Sequence, residues 1–187
     1  MPSNDNNKVE YGVSQLHIAS YTVSGGTVTI GTPVALPGAV SITLEPEGDE
    51  NKFYADNVVY YGGYTDNGFS GSVEVARVPD AIKTQFFGYV QLADGGIGQV
   101  KGASKPNVCI LFEADGDALH RRAIAYNVSL GGINREYNTT EDTIEPTTET
   151  FDISVLGDNG TGLTLVTYNA GDAGYATLFT TPPAPTL

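Results

Sequence analysis

Cysteine, tryptophan and basic residues are the scarce residue types in this chain. It has one Cys, no Trp, and nine Lys and Arg against 22 Asp and Glu, which gives a formal net charge of −13. A single cysteine excludes an internal disulfide, and Cys109 lies in an apolar run at 108–112 that is typical of a buried, unreactive thiol. A protein that grips DNA needs clustered Lys or Arg, and the pair Arg121 and Arg122 is the one local basic cluster, so the composition argues against tight nucleic-acid binding.

Long apolar runs and a secretion signal are absent as well. No stretch approaches the roughly 20 residues that a membrane-spanning helix needs. The first ten residues have neither the basic nor the apolar region of a signal peptide. We therefore expect a protein that is synthesised in a cytoplasm and has no membrane partner.

Candidates for catalysis or metal binding are few, and each falls short of its motif. His17 and His120 are not spaced as a metal-binding pair. Residues 68–71 lack the final Gly of a nucleophile elbow, and residues 95–98 lack the Lys of a phosphate-binding loop. The acids at 113–117 lack the spacing of a calcium-binding loop. We predict no catalytic, cofactor-binding or metal-binding residue, no cofactor and no enzymatic activity.

Glycine, tyrosine and proline are abundant, with 23, 11 and 10 residues, and Val and Thr are frequent. This composition favours strands punctuated by turns. Val40, Ile42 and Leu44 alternate with polar residues, as expected for a strand with one buried face. We predict an all-β fold, a β-sandwich or open barrel of about ten strands. The candidate strands are 8–23, 27–30, 39–45, 52–64, 69–77, 89–92, 97–101, 107–114, 118–130, 151–155, 163–168 and 175–179.

Two strands have further predicted features. In the first strand the apolar residues change parity between Val13 and Leu16, which indicates a bulge because one extra residue moves the side chains to the other face. The strands at 107–114 and 118–130 are joined by a tight turn and are the most apolar pair, so we place them in the middle of a sheet.

One short helix is predicted at 79–87. Pro79 suits the first helical position, where its missing N–H costs nothing. Ile82, Phe86 and Phe87 form one apolar face, and Gly88 suits the position that ends the helix. We expect this helix to fill the core of the β-fold.

Three segments differ from the regular strands, because two are polar and one has apolar residues on both faces. Residues 45–51 contain four acids and predict an exposed loop or hairpin tip. Residues 52–64 carry aromatic residues at both parities, which has two interpretations: a central strand that is covered on both sides, or a face that another subunit buries. Residues 134–150 are polar and Thr-rich, and we interpret them as an extended strand or interface arm.

Several segments, taken in order, resemble the major tail proteins of long-tailed siphophages and prophages. The strand into Pro79 and the following helix contribute to the resemblance, which covers roughly residues 7–180. The other segments are NKVEYGV at 7–13, PGAVSITLEPEG at 37–48, FYADN at 53–57, FFGY at 86–89, REYNT at 135–139 and IEP at 144–146.

The resemblance implies a β-sandwich or barrel with a flanking helix, in which six subunits form a ring and stacked rings form the tail tube. An inner sheet would continue between subunits and line a channel through which DNA passes without specific binding. The partners would be further copies of the chain and the tape measure, tail terminator and distal tail proteins. The protein would be synthesised in the host bacterial cytoplasm and incorporated in the virion.

Mapped on this sequence, the resemblance gives one domain over 1–187 with an N-terminal arm (1–7), a long loop or hairpin (about 45–63) and a Pro-rich C-terminal arm (181–187). The long loop and the chain ends would reach the next ring. The candidate contact residues between subunits are Glu47, Asp49, Glu50, Phe53, Tyr54, Val58, Tyr60, Tyr61, Arg135 and Tyr137.

Two other classes share parts of this pattern. A binding module, such as an adhesin, a receptor-binding domain or a capsid-decoration protein, would also be acidic and β-rich, but it would stay monomeric or trimeric. An enzyme on a jelly-roll scaffold would need a convergent polar pocket. Paired carboxylates are not excluded by sequence because their separation is spatial, although the absence of Trp argues against a carbohydrate cleft.

Overall fold

The computed structural model describes residues 12–116, 120–137, 139 and 147–187. Within these ranges the chain is built almost entirely of strands, with one short helix, and the sheets do not close into a barrel, so the predicted all-β class with a short helix is confirmed. The predicted N-terminal arm and the segment IEP at 144–146 lie outside the described residues. The strands are β1 (Val13–Ser24), β2 (Thr27–Ile30), β3 (Val34–Ala35), β4 (Ala39–Glu47), β5 (Glu50–Ala55), β6 (Val58–Tyr64), β7 (Gly68–Val75), β8 (Tyr89–Gln91), β9 (Ile97–Gln99), β10 (Val108–Ala114), β11 (Arg122–Asn134), β12 (Glu149–Val155) and β13 (Leu165–Tyr168), and the helix is α1 (Asp80–Phe86).

One antiparallel nine-stranded sheet forms the body of the molecule. Its strand order is β2-β1-β10-β11-β12-β7-β4, and in addition β3 pairs with β1 and β13 pairs with β11. The strands β10 and β11 lie in the middle, as predicted from two adjacent long strands joined by a tight turn. Two small hairpins, β5–β6 and β8–β9, form separate two-stranded sheets. No helix in the described part of the chain is long and apolar enough to span a membrane.

The central strands are buried on both faces, which explains the continuous apolar run of β10. Val108 and Ile110 face a first core that includes the helix, whereas Cys109 and Leu111 face a second core on the opposite side of the sheet. Both β10 faces are therefore dry, and the alternation of polar and apolar residues expected of a half-exposed strand disappears.

The helix lies where the sequence predicts it, with one correction at its start. Pro79 has φ −59° and ψ 144° and is the N-cap, not the first helical residue, because its extended ψ keeps it outside the helix. Gly88 has φ 71° and follows the last helical turn, as expected of a glycine that ends a helix. Ile82, Phe86 and Phe87 are all buried in the first core.

Bulges bend two of the long strands. The predicted bulge in β1 is confirmed by a register shift between Ser14 and His17, and Gln15 adopts a φ of 51° there. A second bulge in β11 centres on Asn127, which has φ 53° and is buried. Its side chain donates to the Gly157 carbonyl at 2.7 Å and accepts from the Asn107 amide at 2.6 Å, which satisfies the buried polar groups.

Three predicted segments differ in the structure. Residues 52–64 are not one strand but most of the β5–β6 hairpin, because Asp56 and Asn57 form a turn with φ of 52° and 62°. Residues 45–47 are not loop, since β4 continues through them and pairs with β7. Pro46 is tolerated there because β4 is an edge strand. Residues 175–179 form turns and not a strand.

Residues 169–187, here named the C-terminal strap, cover the second core through side chains and turns. Leu178 is fully buried in that core, and the Tyr126 hydroxyl donates to the Pro183 carbonyl at 3.1 Å. The Arg122 guanidinium lies over the rings of Tyr175 and Phe179, at 4.1 and 4.7 Å from their centroids. These cation–π contacts fasten the strap to the central strand β11.

The substitution Leu178→Ala is expected to lower the free energy of unfolding by about 2–4 kcal/mol through cavity formation and to loosen the strap. Burial raises the pKa of the Cys109 thiol to about 12, so this thiol should be inert while the strap is closed. Faster reaction of Cys109 with a thiol reagent, together with urea denaturation, checks the prediction. Leu187→Ala, at a position that is 95% exposed, is the control, and a wild-type thiol rate in Leu178→Ala would contradict it.

Candidate assembly surfaces

The β5–β6 hairpin carries seven of the fifteen large apolar side chains that are exposed in the described chain. It pairs with no other strand there. Its large apolar side chains are exposed on both faces, between 51% and 75% of their accessible area. Isolated two-stranded hairpins are marginally stable in water, so this one lacks a second layer. The exposed residues are Phe53, Tyr54, Val58, Val59, Tyr60, Tyr61 and Tyr64.

The base of the hairpin is anchored to the main sheet by backbone hydrogen bonds. The Thr65 amide donates to the Asp49 carbonyl at 3.0 Å, and the Asn67 amide donates to the Glu47 carbonyl at 2.8 Å. The Thr65 hydroxyl also accepts from the Asp49 amide at 3.1 Å. The hairpin is thus held in place at its root while its aromatic side chains stay in solvent.

The end of β4 and the hairpin that follows it are rich in acidic residues. Residues 45–64 contain five acids against a single basic residue, Lys52. Lys52 pairs with Glu50 at 2.7 Å, and both side chains are substantially exposed, so this pair adds little stability. The predicted contact residues Glu47, Asp49 and Glu50 therefore lie at one place, where the hairpin leaves the sheet.

The edge strand β4 is a second candidate surface. It runs for nine residues and pairs with β7 on one side, and no described strand hydrogen-bonds to its other side, although β1 lies close to part of it. Val40 on this strand is 51% exposed. Where β1 does not approach it, such an edge offers unpaired backbone donors and acceptors for a further strand.

The helix side of the molecule holds the remaining predicted contact residues. Arg135 lies over the Tyr89 ring at 5.5 Å, donates to its hydroxyl at 3.3 Å, and is 3.5 Å from Glu149. Tyr137 is 84% exposed beside it in the chain. The structure therefore separates the predicted residues into two groups, one on the hairpin and one beside the helix.

A partly buried ion pair fastens the helix to the sheet on this side. Glu149 accepts from the Val78 amide at 2.6 Å and from the Lys83 ammonium at 3.0 Å. Lys83 is 4% exposed. Burial by itself would raise the pKa of Glu149, but the Val78 amide and the Lys83 ammonium outweigh it, so this carboxyl has a pKa below its ordinary value.

Asp158 holds the turn that follows β12. Its buried carboxylate accepts from the Tyr21 hydroxyl at 2.7 Å and from the Thr161 amide and hydroxyl at 2.6 and 2.8 Å. Burial opposes ionisation, but these donors outweigh it, and the pKa of Asp158 lies below its ordinary value. Burial and the neighbouring carboxylate raise the pKa of Tyr21.

The stabilising effect of the Asp158 charge is expected to disappear in acid. Because the folded pKa is depressed, the contribution is complete above the ordinary carboxyl pKa of 3.8 and is lost as the pH falls through the lower folded value. Asp158→Asn should therefore cost about 1–2 kcal/mol at pH 6 and much less at pH 2.5. Urea denaturation of both chains across this range tests it, and a difference that stays constant with pH would contradict it.

The histidines and the motif at 68–71 that were considered in sequence lie at strand and loop positions of the described structure. Residues 68–71 lie within strand β7, so the strand–turn–helix setting of a nucleophile elbow is missing. His17 contacts the Gln15 carbonyl at 2.6 Å and stacks on Phe179, and His120 lies 3.6 Å from Glu113. Among the described residues no group of three or more His, Cys, Asp or Glu could hold a metal ion.

An open β-sheet body with an unpaired edge, an exposed apolar hairpin and an acidic surface defines a structural β-protein that associates with other subunits. A family model described as phage tail tube protein matches residues 1–154, and no curated protein matches the chain. The chain belongs to the phage tail tube protein family. It is therefore a structural component of a phage tail, which assembles with itself and with other tail components. The match ends within β12, so β13 and the C-terminal strap lie beyond it.

Proposed function

We propose that six copies of this chain form a ring, and that stacked rings form the tail tube of a long-tailed phage. The single observation that carries the proposal is the β5–β6 hairpin, which exposes seven large apolar side chains in a chain of the tail tube family. Burial of such side chains between subunits supplies the main favourable free energy of association. The hairpin makes the contact between one ring and the next.

Ring closure accounts for the free edge strand. A heterologous contact that closes on itself leaves no subunit with an open edge. The strand β4, whose second side pairs with no described strand, supports a sheet that continues from one subunit to its neighbour. That continuous sheet lines the central channel.

The charge of the chain suits a channel for DNA. The formal net charge of −13 disfavours adhesion to a polyanion, so DNA can move through the tube during infection without specific binding. The subunit has no catalytic role. It is synthesised in the host bacterial cytoplasm, and in the virion it meets the tape measure, tail terminator and distal tail proteins.

Negative-stain electron microscopy of the purified chain, with light scattering over a range of concentration and salt, tests the proposal. We expect hollow tubes or rings with six-fold symmetry. Rings of another symmetry would contradict the hexamer, and a monomer under every condition would contradict self-assembly. A basic channel surface in the assembled tube would contradict the proposed passage of DNA.

A further inference from the structure

The hairpin needs a receiving surface, and one flank of the molecule has the matching properties. This acceptor flank consists of residues 76–105, which include α1 and the β8–β9 hairpin, and of residues 135–137. The end of α1 packs closely on the segment 100–105 at Gly88, where an added Cβ would lie 3.0 Å from the Ala103 Cβ. Arg135 joins residues 135–137 to β8 through the ring of Tyr89.

Exposed apolar side chains are concentrated on this flank. Outside the β5–β6 hairpin, eight large apolar side chains of the described chain are exposed, and four of them lie on the flank. Val90, Leu92 and Val100 are 42%, 47% and 47% exposed, and Tyr137 is 84% exposed. The other four are scattered singly over the chain, as is usual for a protein surface.

Basic residues outnumber acidic residues on the same flank. The flank contains five basic and three acidic residues, in a chain that has nine basic and 22 acidic residues in all. The segment at 45–64 has the opposite balance, with five acids and one Lys. Two copies of the chain therefore carry complementary charges at these two places, which directs their association.

The flank also contains a depression of about 430 Å³, large enough to receive an aromatic side chain. Its lining includes Arg77, Ile97, Arg135 and Tyr137. On the hairpin, Tyr60 is the extra residue at the bulge between the paired positions of β5 and β6, and it is 75% exposed. Of the seven exposed hairpin side chains, Tyr60 is the most exposed, so we expect its ring to enter the depression, where it would face the Arg135 guanidinium.

We propose that the acceptor flank binds the β5–β6 hairpin of a second copy of this chain. The inference rests on the proposed self-assembly and adds the surface that receives the hairpin. The apolar side chains of the flank cover one face of the hairpin, and its exposed basic residues Arg77 and Lys101 face the acids at the hairpin base.

Disulfide trapping tests the contact in the full chain. The double variant Tyr60→Cys with Tyr137→Cys, whose second thiol lies in the lining of the depression, should form ladders of covalent oligomers when assembled material is oxidised. The control, Tyr60→Cys with Val23→Cys, places the second thiol at another exposed site, 48%, away from the flank, and should not form ladders. Cys109 is buried and stays unreactive in both variants.

Polymers of the first variant that yield no ladders, or ladders equal to the control, overturn the inference and leave the proposed self-assembly intact. Failure of the wild-type chain to polymerise would instead contradict the proposed function. The two failures are therefore distinguishable in one experiment.

Charge reversal gives an independent test that needs no new thiol. Arg77→Glu with Lys101→Glu should raise the concentration needed for polymerisation at least about tenfold at low salt. Adding Glu47→Lys and Glu50→Lys to the same chain should restore most of that loss. The absence of any restoration, with all chains folded by circular dichroism, overturns the inference.

Discussion

A chain that carries Tyr54→Ser, Tyr60→Ser and Tyr61→Ser is expected to fold normally and to form no tubes. These side chains are 62%, 75% and 64% exposed, so their loss should change the free energy of unfolding by less than about 1 kcal/mol. At an interface, buried tyrosines each contribute about 2 kcal/mol, so the concentration needed for assembly should rise at least a hundredfold.

Light scattering and electron microscopy measure this loss, and urea denaturation measures the stability. The matched control is Val23→Ser with Leu156→Ser, two apolar positions with 48% and 54% exposure outside both proposed surfaces. The control should polymerise as the wild type does. Tubes of the triple variant at wild-type concentrations would contradict a role of the hairpin in assembly.

The substitution Glu149→Gln is expected to destabilise the subunit itself, by about 2–3 kcal/mol. It removes the charge that faces the Lys83 ammonium at 3.0 Å, and the closest carboxylate left to that buried cation is Asp80, at 3.8 Å. Removal of one partner of a buried pair leaves an uncompensated charge, which costs several kcal/mol. The value is reduced here because the Glu149 side chain keeps 16% exposure.

The reciprocal variant, Lys83→Met, separates this mechanism from a simple loss of packing. Met fills much of the space of the Lys stem, and Glu149 keeps the Val78 amide and the Arg135 guanidinium. Its cost should be about 1 kcal/mol, clearly below that of Glu149→Gln. Urea denaturation at pH 7 compares the two, and equal or reversed costs would contradict the argument.

The helix and the central strands could be predicted because their signals are local. Pro79 and Gly88 mark the ends of the helix, and the apolar run 108–112 indicates a strand that is covered on both sides. The bulge of β1 followed from a change of parity. In each case one segment of sequence contains the whole signal.

One missed feature is local, and the others depend on contacts distant in sequence. The turn at Asp56 and Asn57 lies between the apolar stretches 53–55 and 58–61 and lacks the glycine that usually reveals a two-residue turn. The bulge at Asn127 depends on partners at positions 107 and 157. The strap residues 175–179 have apolar side chains that suit a strand, but they pack by their side chains on Arg122 and the second core.

The two proposed assembly surfaces also differ in how far the sequence predicted them. The aromatic residues of 52–64 drew attention in sequence because both parities are apolar, and the hairpin that they form is exposed on both faces. The acceptor flank was not predicted, apart from Arg135 and Tyr137. Val90 lies in a strand of three residues, and Leu92 and Val100 each directly follow such a strand. Strands this short have no measurable period, so the exposure of these side chains could not be predicted.

The exposed hairpin gives the subunit a built-in optical reporter. The chain has no tryptophan, so its near-ultraviolet emission comes from its eleven tyrosines, and four of these, Tyr54, Tyr60, Tyr61 and Tyr64, lie on the hairpin. Transfer of these phenol rings from water to a dry contact changes their absorbance and their quenching by iodide. Polymerisation of the unmodified chain can therefore be followed without a dye, in real time, by the light that its own side chains absorb and emit.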